Sequence, residues 1–238
     1  QRQMCIRDSS SHALVGGLVG AGLAKSGGSA IVAQGLIKTS LAIILSPLFG
    51  MLLALILSVC VLWLFAKSSP YQTERKFNVL QFFSSSLYSL GHGGNDAQKT
   101  MGIIAVLLYA NGYIHGEIIA PFWVVILCQV AMGLGTLFGG WRIVRTMGMG
   151  ITRIRPSGGF CAQTSGAIAL FLATSLGIPV STTHTITGAI IGVGLSRRVS
   201  AVRWGLASRI VWAWVITIPA SATIAAFAWS IGRNFIAV

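Results

Sequence analysis

The sequence predicts an all-α integral membrane protein. Two properties carry that prediction: 54% of the 238 residues are hydrophobic against 9% charged, and apolar runs long enough to cross a bilayer recur along the chain. So little polar surface could not cover a water-soluble globule of this size. A third property decides helix over barrel. The run GMLLALILSVCVLWLF, residues 50–65, is apolar on every face, whereas strands of a membrane barrel alternate apolar and polar residues over about ten positions. Crossing roughly 30 Å of hydrocarbon takes about 20 helical residues at about 1.5 Å each.

The opening QRQMCIRDSS is polar and has no apolar stretch of the kind a signal peptide carries. Residues 1–8 are therefore expected to be non-native or the truncated start of a longer chain. Residues 9–66 read as the end of a first repeat. SSSHALVGGLVGAGL, residues 9–23, gives a helix start and then small residues at helical spacing, too short to span. A weakly basic connector with Lys25 and Lys38 leads to a spanning helix over about residues 40–66, bent at Pro47, since an interior proline removes a backbone hydrogen bond. Residues 67–76, KSSPYQTERK, form a polar connector whose Lys67, Arg75 and Lys76 place it in the cytoplasm.

Residues 77–238 form the second repeat. Helices are expected over about residues 77–90 and 97–111, interrupted by Gly91-His-Gly-Gly-Asn. The connector NGYIHGE, residues 111–117, lacks Lys and Arg and belongs on the opposite side. The chain crosses again over about residues 118–140, and WRIVRTMGMGITRIR, residues 141–155, returns it with four arginines. Residues 157–195 comprise two short apolar pieces joined by GIPVSTTH, which fits a re-entrant hairpin. A connector holding Arg197, Arg198, Arg203 and Arg209 follows, then a last helix over about residues 210–231.

The formal charge of +13 does not point to nucleic acid. The Lys and Arg residues lie mainly in connectors, where they orient helices, and no basic patch interleaved with exposed aromatics occurs. Membrane lipid headgroups and an anionic substrate are the partners this charge suits. Cys5, Cys60, Cys128 and Cys161 are far apart with no CxxC pair, so neither a zinc site nor a redox motif is supported.

Residues 9–23 align with residues 181–195, SSSHALVGGLVGAGL against STTHTITGAIIGVGL, sharing the first Ser, the His, three glycines and the final Leu. Each copy is followed by a basic connector and an apolar helix with one central proline, Pro47 or Pro219. The spacing stays near 172 residues, which indicates duplication. Charge places the two connectors on opposite sides, so the copies are inverted. Inverted repeats with broken helices and re-entrant helical hairpins are the architecture of secondary transporters, with discontinuous helices meeting near the midplane.

Two constellations carry chemistry. Ser181, Thr182 and Thr183 stand where an N-cap and first turn would be, after Pro179. Hydroxyls, free N–H groups and the positive end of the helix dipole suit an oxyanion there. Ser10 and Ser11 are their counterparts in the first copy. In GHGGNDAQKT, residues 91–100, three glycines let the backbone leave helical geometry, Asn95 offers an amide oxygen and Asp96 a carboxylate. Hard oxygens suit Na⁺, and a membrane carboxylate can also carry a proton. A plain ion pair between Asp96 and Lys99 is the alternative reading. The loop is not a phosphate-binding P-loop, because Gln98 stands where the Walker pattern needs Gly and no strand precedes it. Acids are too few for an acid/base constellation, and the four histidines lie far apart, so the chain is not expected to be an enzyme and no cofactor is implied.

GHGGNDAQKTMGII and GIPVSTTHTITGAIIGVG together resemble the C-terminal repeat of the PiT inorganic phosphate transporter family, and SSSHALVGGLVGAGL resembles the end of its N-terminal repeat. The resemblance covers nearly the whole chain from Ser9 onward. It implies symport of inorganic phosphate with a cation, H⁺ or Na⁺, in a multi-pass protein of the bacterial inner membrane, and a homodimer. Asn95 and Asp96 would bind the coupling ion, and no other metal is implied. Ser181, Thr182 and Thr183, with Ser10 and Ser11, would bind phosphate. Two departures stand out: the first repeat's own Asn-Asp motif is absent, so the site should be incomplete, and Gln163 stands where sodium-coupled members resemble one another in having Glu, which puts sodium in doubt and makes protons a serious candidate. Transport of another oxyanion such as sulfate, or a non-concentrative channel, is the rival reading.

Overall fold

The computed structural model describes residues 10–139, 148 and 150–235. These residues form seven α-helices and no strand: α1 Ser10–Ser26, α2 Ala33–Leu64, α3 Pro70–Ala110, α4 Phe122–Gly139, α5 Pro156–Ser175, α6 Thr182–Leu195 and α7 Trp204–Phe235. Expectations for residues 1–9, 140–147, 149 and 236–238, which include Cys5 and Arg142, lie outside the described residues. α2 and α7 are long and apolar enough to cross a membrane. Their outer faces carry exposed large side chains such as Leu52, Ile56, Val215 and Ile216, the surface expected against lipid tails.

α3 differs from the sequence expectation. Residues 91–95 do not interrupt it, and it runs unbroken for 41 residues. Among the described residues, the positive-φ glycines are Gly27, Gly112, Gly116 and Gly177, all outside α3. Glycine permits departure from helical geometry but forces none, because its N–H and C=O still complete the ladder. At Gly91 the missing side chain admits α5, where an added Cβ would meet Leu170 Cβ at 3.4 Å. α3 also starts early: Ser69 Oγ accepts from the Gln72 N–H at 3.4 Å and Pro70 opens the first turn, a cap and a pre-set φ acting together.

α3 and α5 run parallel. Ser84 meets Gln163, Gly91 meets Leu170 and Asn95 meets Thr174, an almost constant offset. α5 turns at residues 176–181 and α6 comes back beside it, so the re-entrant hairpin expected at residues 157–195 is present as a pair of packed helices. Its open end carries arginines. Arg197 Nη1 donates to the Arg153 carbonyl at 3.1 Å, the Arg203 amide donates to the Ile151 carbonyl at 2.9 Å, and Arg155 lies 4.0 Å from Glu74 at the start of α3. This is the basic face of the molecule.

The two short helices exchange partners. α6 packs along α2, with Gly188 on the Pro47 carbonyl and Gly192 on that of Met51. α1 packs along α7, with Gly16 on the Ile218 carbonyl and Gly20 on that of Ala222. Two of the three glycine pairs that matched between the sequence copies, Gly16 with Gly188 and Gly20 with Gly192, are therefore the contact points of the two crossings, where backbone touches backbone and no Cβ fits. α2 ends at the basic face and α7 starts there, so α6 runs toward that face and α1 away from it. Their N-termini meet in the middle, where the His12 and His184 rings lie 4.3 Å apart and Trp214 stacks on His184 at 3.5 Å.

Candidate functional site

One face of α3 presents Ser84, Tyr88, His92, Asp96 and Lys99, spaced by three or four residues and so stacked along the helix. Asp96 and Lys99 lie where the N-termini of α1 and α6 converge. Lys99 Nζ donates to Asp96 Oδ1 at 2.8 Å, to Ser11 Oγ at 2.8 Å and to the Val180 carbonyl at 2.7 Å. An ammonium has three N–H donors, and here each has an acceptor. Thr182 Oγ1 donates to the other carboxylate oxygen, Asp96 Oδ2, at 3.2 Å, and His92 Nδ1 lies 3.5 Å from it. Tyr88, stacked on His92, donates its hydroxyl to the Thr182 carbonyl at 3.2 Å. Side-chain exposures of 10% for Asp96 and 15% for Lys99 take the pair largely out of water.

The ion pair between Asp96 and Lys99 is thus present, and it is also the hub that joins both hydroxyl clusters. Ser11 and Thr182 are brought into this network. Ser181 is buried as the N-cap of α6, while Thr183 is half-buried and Ser10 is exposed at the start of α1. Asn95, next to Asp96 but about 100° around the helix, turns toward α5: its Nδ2 donates to Thr174 Oγ1 at 3.3 Å. Its Oδ1 is buried with no hydrogen-bond partner within the protein, and such an acceptor calls for a water or an ion. Gln163 is not brought to Asp96. Its Oε1 accepts from Ser84 Oγ at 2.9 Å, and Ser84 lies 12 positions before Asp96, about 18 Å along α3.

Sequence reasoning understated two groups. Lys99 carries the network, and its position one turn after Asp96 was the available signal. His12 and His184, far apart in sequence, lie ring against ring at a tilt of 48°; their identical place behind the two hydroxyl runs anticipated a symmetric pair.

Two half-helices pointing their N-termini at a buried, fully bonded ammonium and carboxylate, inside a shell of apolar helices, define a helical membrane protein with an anion-suited centre. The sequence model of the phosphate transporter family matches residues 4–75 and 66–225. A protein of Rhizobium meliloti (strain 1021) named "Probable low-affinity inorganic phosphate transporter" is 69% identical over 221 residues, covering 93% of this chain and 66% of that protein. The Bacillus subtilis (strain 168) protein of the same name is 45% identical over 227 residues, covering 95% and 68%. Human "Sodium-dependent phosphate transporter 1" is 34% identical over 162 residues, covering 67% and 24%. A solved structure, "The sodium-dependent phosphate transporter", superposes with a TM-score of 0.83 at 24% identity over 96% of this chain and 74% of that one, which speaks to the fold. The chain belongs to the phosphate transporter family, whose members are transporters and not enzymes. It spans about two thirds of the length of the Rhizobium and Bacillus relatives.

Proposed function

We propose that this chain forms most of a symporter that moves inorganic phosphate with a cation, and that Asp96 and Lys99 are where the two are coupled. The saturated Lys99 ammonium carries this reading. Phosphate arriving between Ser11 and Thr182 must compete for a donor that Asp96 already holds. With Asp96 ionised, the anion meets a neutral pair. Once a proton or Na⁺ takes up the carboxylate charge, the ammonium turns to phosphate, and the hydroxyls and first-turn N–H groups of α1 and α6 complete its shell. An anion in low dielectric without such compensation is too costly to hold.

Asn95 Oδ1 and an Asp96 oxygen are the donors a Na⁺ ion would use, and Na⁺ is supported by the names of the human relative and the structural neighbour. Gln163, about 18 Å from Asp96 along α3, bears on a different region. Exchange of the two inverted half-helix units would expose the centre to either side in turn. The basic face is assigned to the cytoplasm of a bacterial plasma membrane, following the positive-inside pattern.

The test is ³²P-phosphate uptake by the full-length transporter in proteoliposomes under imposed pH or Na⁺ gradients. Concentrative uptake that Asp96→Asn abolishes is the expected result, and normal coupled uptake by that variant would overturn the assignment. Equal competition by sulfate would widen the substrate class, and purely downhill flux would make the protein a channel.

A further inference from the structure

At the basic face, about 20 Å along α5 from Thr174, lies a small cleft open on one side. Ser58 of α2, Ser157, Gly158 and Cys161 of α5, and Ser196 and Arg197 after α6 line it together with aliphatic side chains. None of its lining residues is acidic; Glu74, the nearby carboxylate, faces Arg155 at 4.0 Å.

Three features converge on an anion. First, α5 begins here without a side-chain cap from Arg155, so the first-turn N–H groups of Ser157 and Gly158 and the positive dipole end are offered to the cleft. Second, Arg197 Nη2 lies 4.0 Å from where a Cβ on Gly158 would stand, which puts the guanidinium at that same helix end. Its Nη1 is held by the Arg153 carbonyl at 3.1 Å, fixing the group in place. Third, Ser58 is only 5% exposed, and the sulfur of Cys161 is the partner beside its hydroxyl. A thiol is a weak acceptor, which leaves most of the hydrogen-bonding capacity of this buried oxygen unused. A buried hydroxyl on one wall, a guanidinium on another and uncapped amides on a third match the oxygens of a phosphate group.

We propose that this cleft is a second, peripheral phosphate site, which holds the anion on the basic face between the central site and water. The proposal rests on the phosphate-transport reading of the centre. A lipid phosphate offers the same chemistry as free phosphate, and the experiment separates the two.

The full-length transporter, in nanodiscs of phosphatidylcholine, is titrated with ³²P-phosphate. Two classes of binding are expected. Arg197→Gln and Ser58→Ala should each weaken one class about tenfold, while Thr182→Val weakens only the other. Thermal melting confirms folding, and Ser58→Ala, which removes only the hydroxyl oxygen, decides the matter if Arg197→Gln melts early. Binding untouched by both substitutions but sensitive to Thr182→Val would overturn the peripheral site and leave the central reading standing. No phosphate binding by the wild type would overturn both. If the cleft takes no phosphate in neutral discs, yet Arg197→Gln lowers retention of phosphatidylglycerol, the site is for lipid and the proposal falls.

Discussion

Replacing Asp96 by Asn tests the coupling most directly, because it removes a charge and leaves the shape. In the wild type the carboxylate holds Lys99 Nζ at 2.8 Å, and a hydrogen bond between charged groups is worth about 1.5–3 kcal/mol. Cation binding at Asp96 releases that interaction to phosphate. Saturating cation should therefore raise phosphate affinity about 10- to 150-fold, the factor to which that energy corresponds. By linkage, phosphate raises cation affinity by the same factor. In Asp96→Asn the ammonium keeps Ser11 Oγ and the Val180 carbonyl but loses its counter-charge, so phosphate should bind at low cation as it does in the wild type at high cation. Equilibrium binding of ³²P-phosphate to the purified full-length protein, across pH and Na⁺, reads this as a ratio that collapses to about one. A variant that folds, binds phosphate and keeps the full cation dependence would refute the reasoning.

Gly188→Ala should destabilise strongly, by about 1–3 kcal/mol or more, because its Cβ would press on the Pro47 carbonyl. Gly102→Ala in α3, where an added Cβ meets nothing within 4 Å, should stabilise by about 0.5–1 kcal/mol; thermal unfolding in detergent compares the pair. Ser11→Ala and Thr182→Val each remove one hydrogen bond of the central network, and each should raise the phosphate Kd about fivefold, measured by the same binding assay. Glu74→Gln breaks a 4.0 Å pair between half-exposed side chains and should change stability by less than about 1 kcal/mol, which a melting curve will show.

The hydroxyl runs, the Asn-Asp pair and the repeated glycines were all legible because each is a local pattern with a local physical consequence. The glycine matches between residues 9–23 and 181–195 had a meaning that repetition alone could signal: both copies need backbone contact at the same two positions. The glycines of residues 91–94 misled, since a glycine marks either a break or a close approach and only the neighbouring helix distinguishes them. The place of Gln163 was hidden for another reason. Its spacing says nothing of height along α3, and the parallel register of α5 with α3 places it beside Ser84.

By itself, then, the sequence determined a helical membrane chain with two copies of a hydroxyl-started half-helix and one acidic centre between them. Hydropathy, charge placement and helix-start chemistry act over one or two turns and are written in order along the chain. Tertiary structure alone decided that Lys99 saturates its three donors across α1, α3 and the turn before α6, that His12 meets His184, and that Ser58 and Arg197 line one cleft. Apart from the Asp96–Lys99 pair itself, these contacts join residues from 81 to 172 positions apart, and they depend on which glycines let which backbones touch.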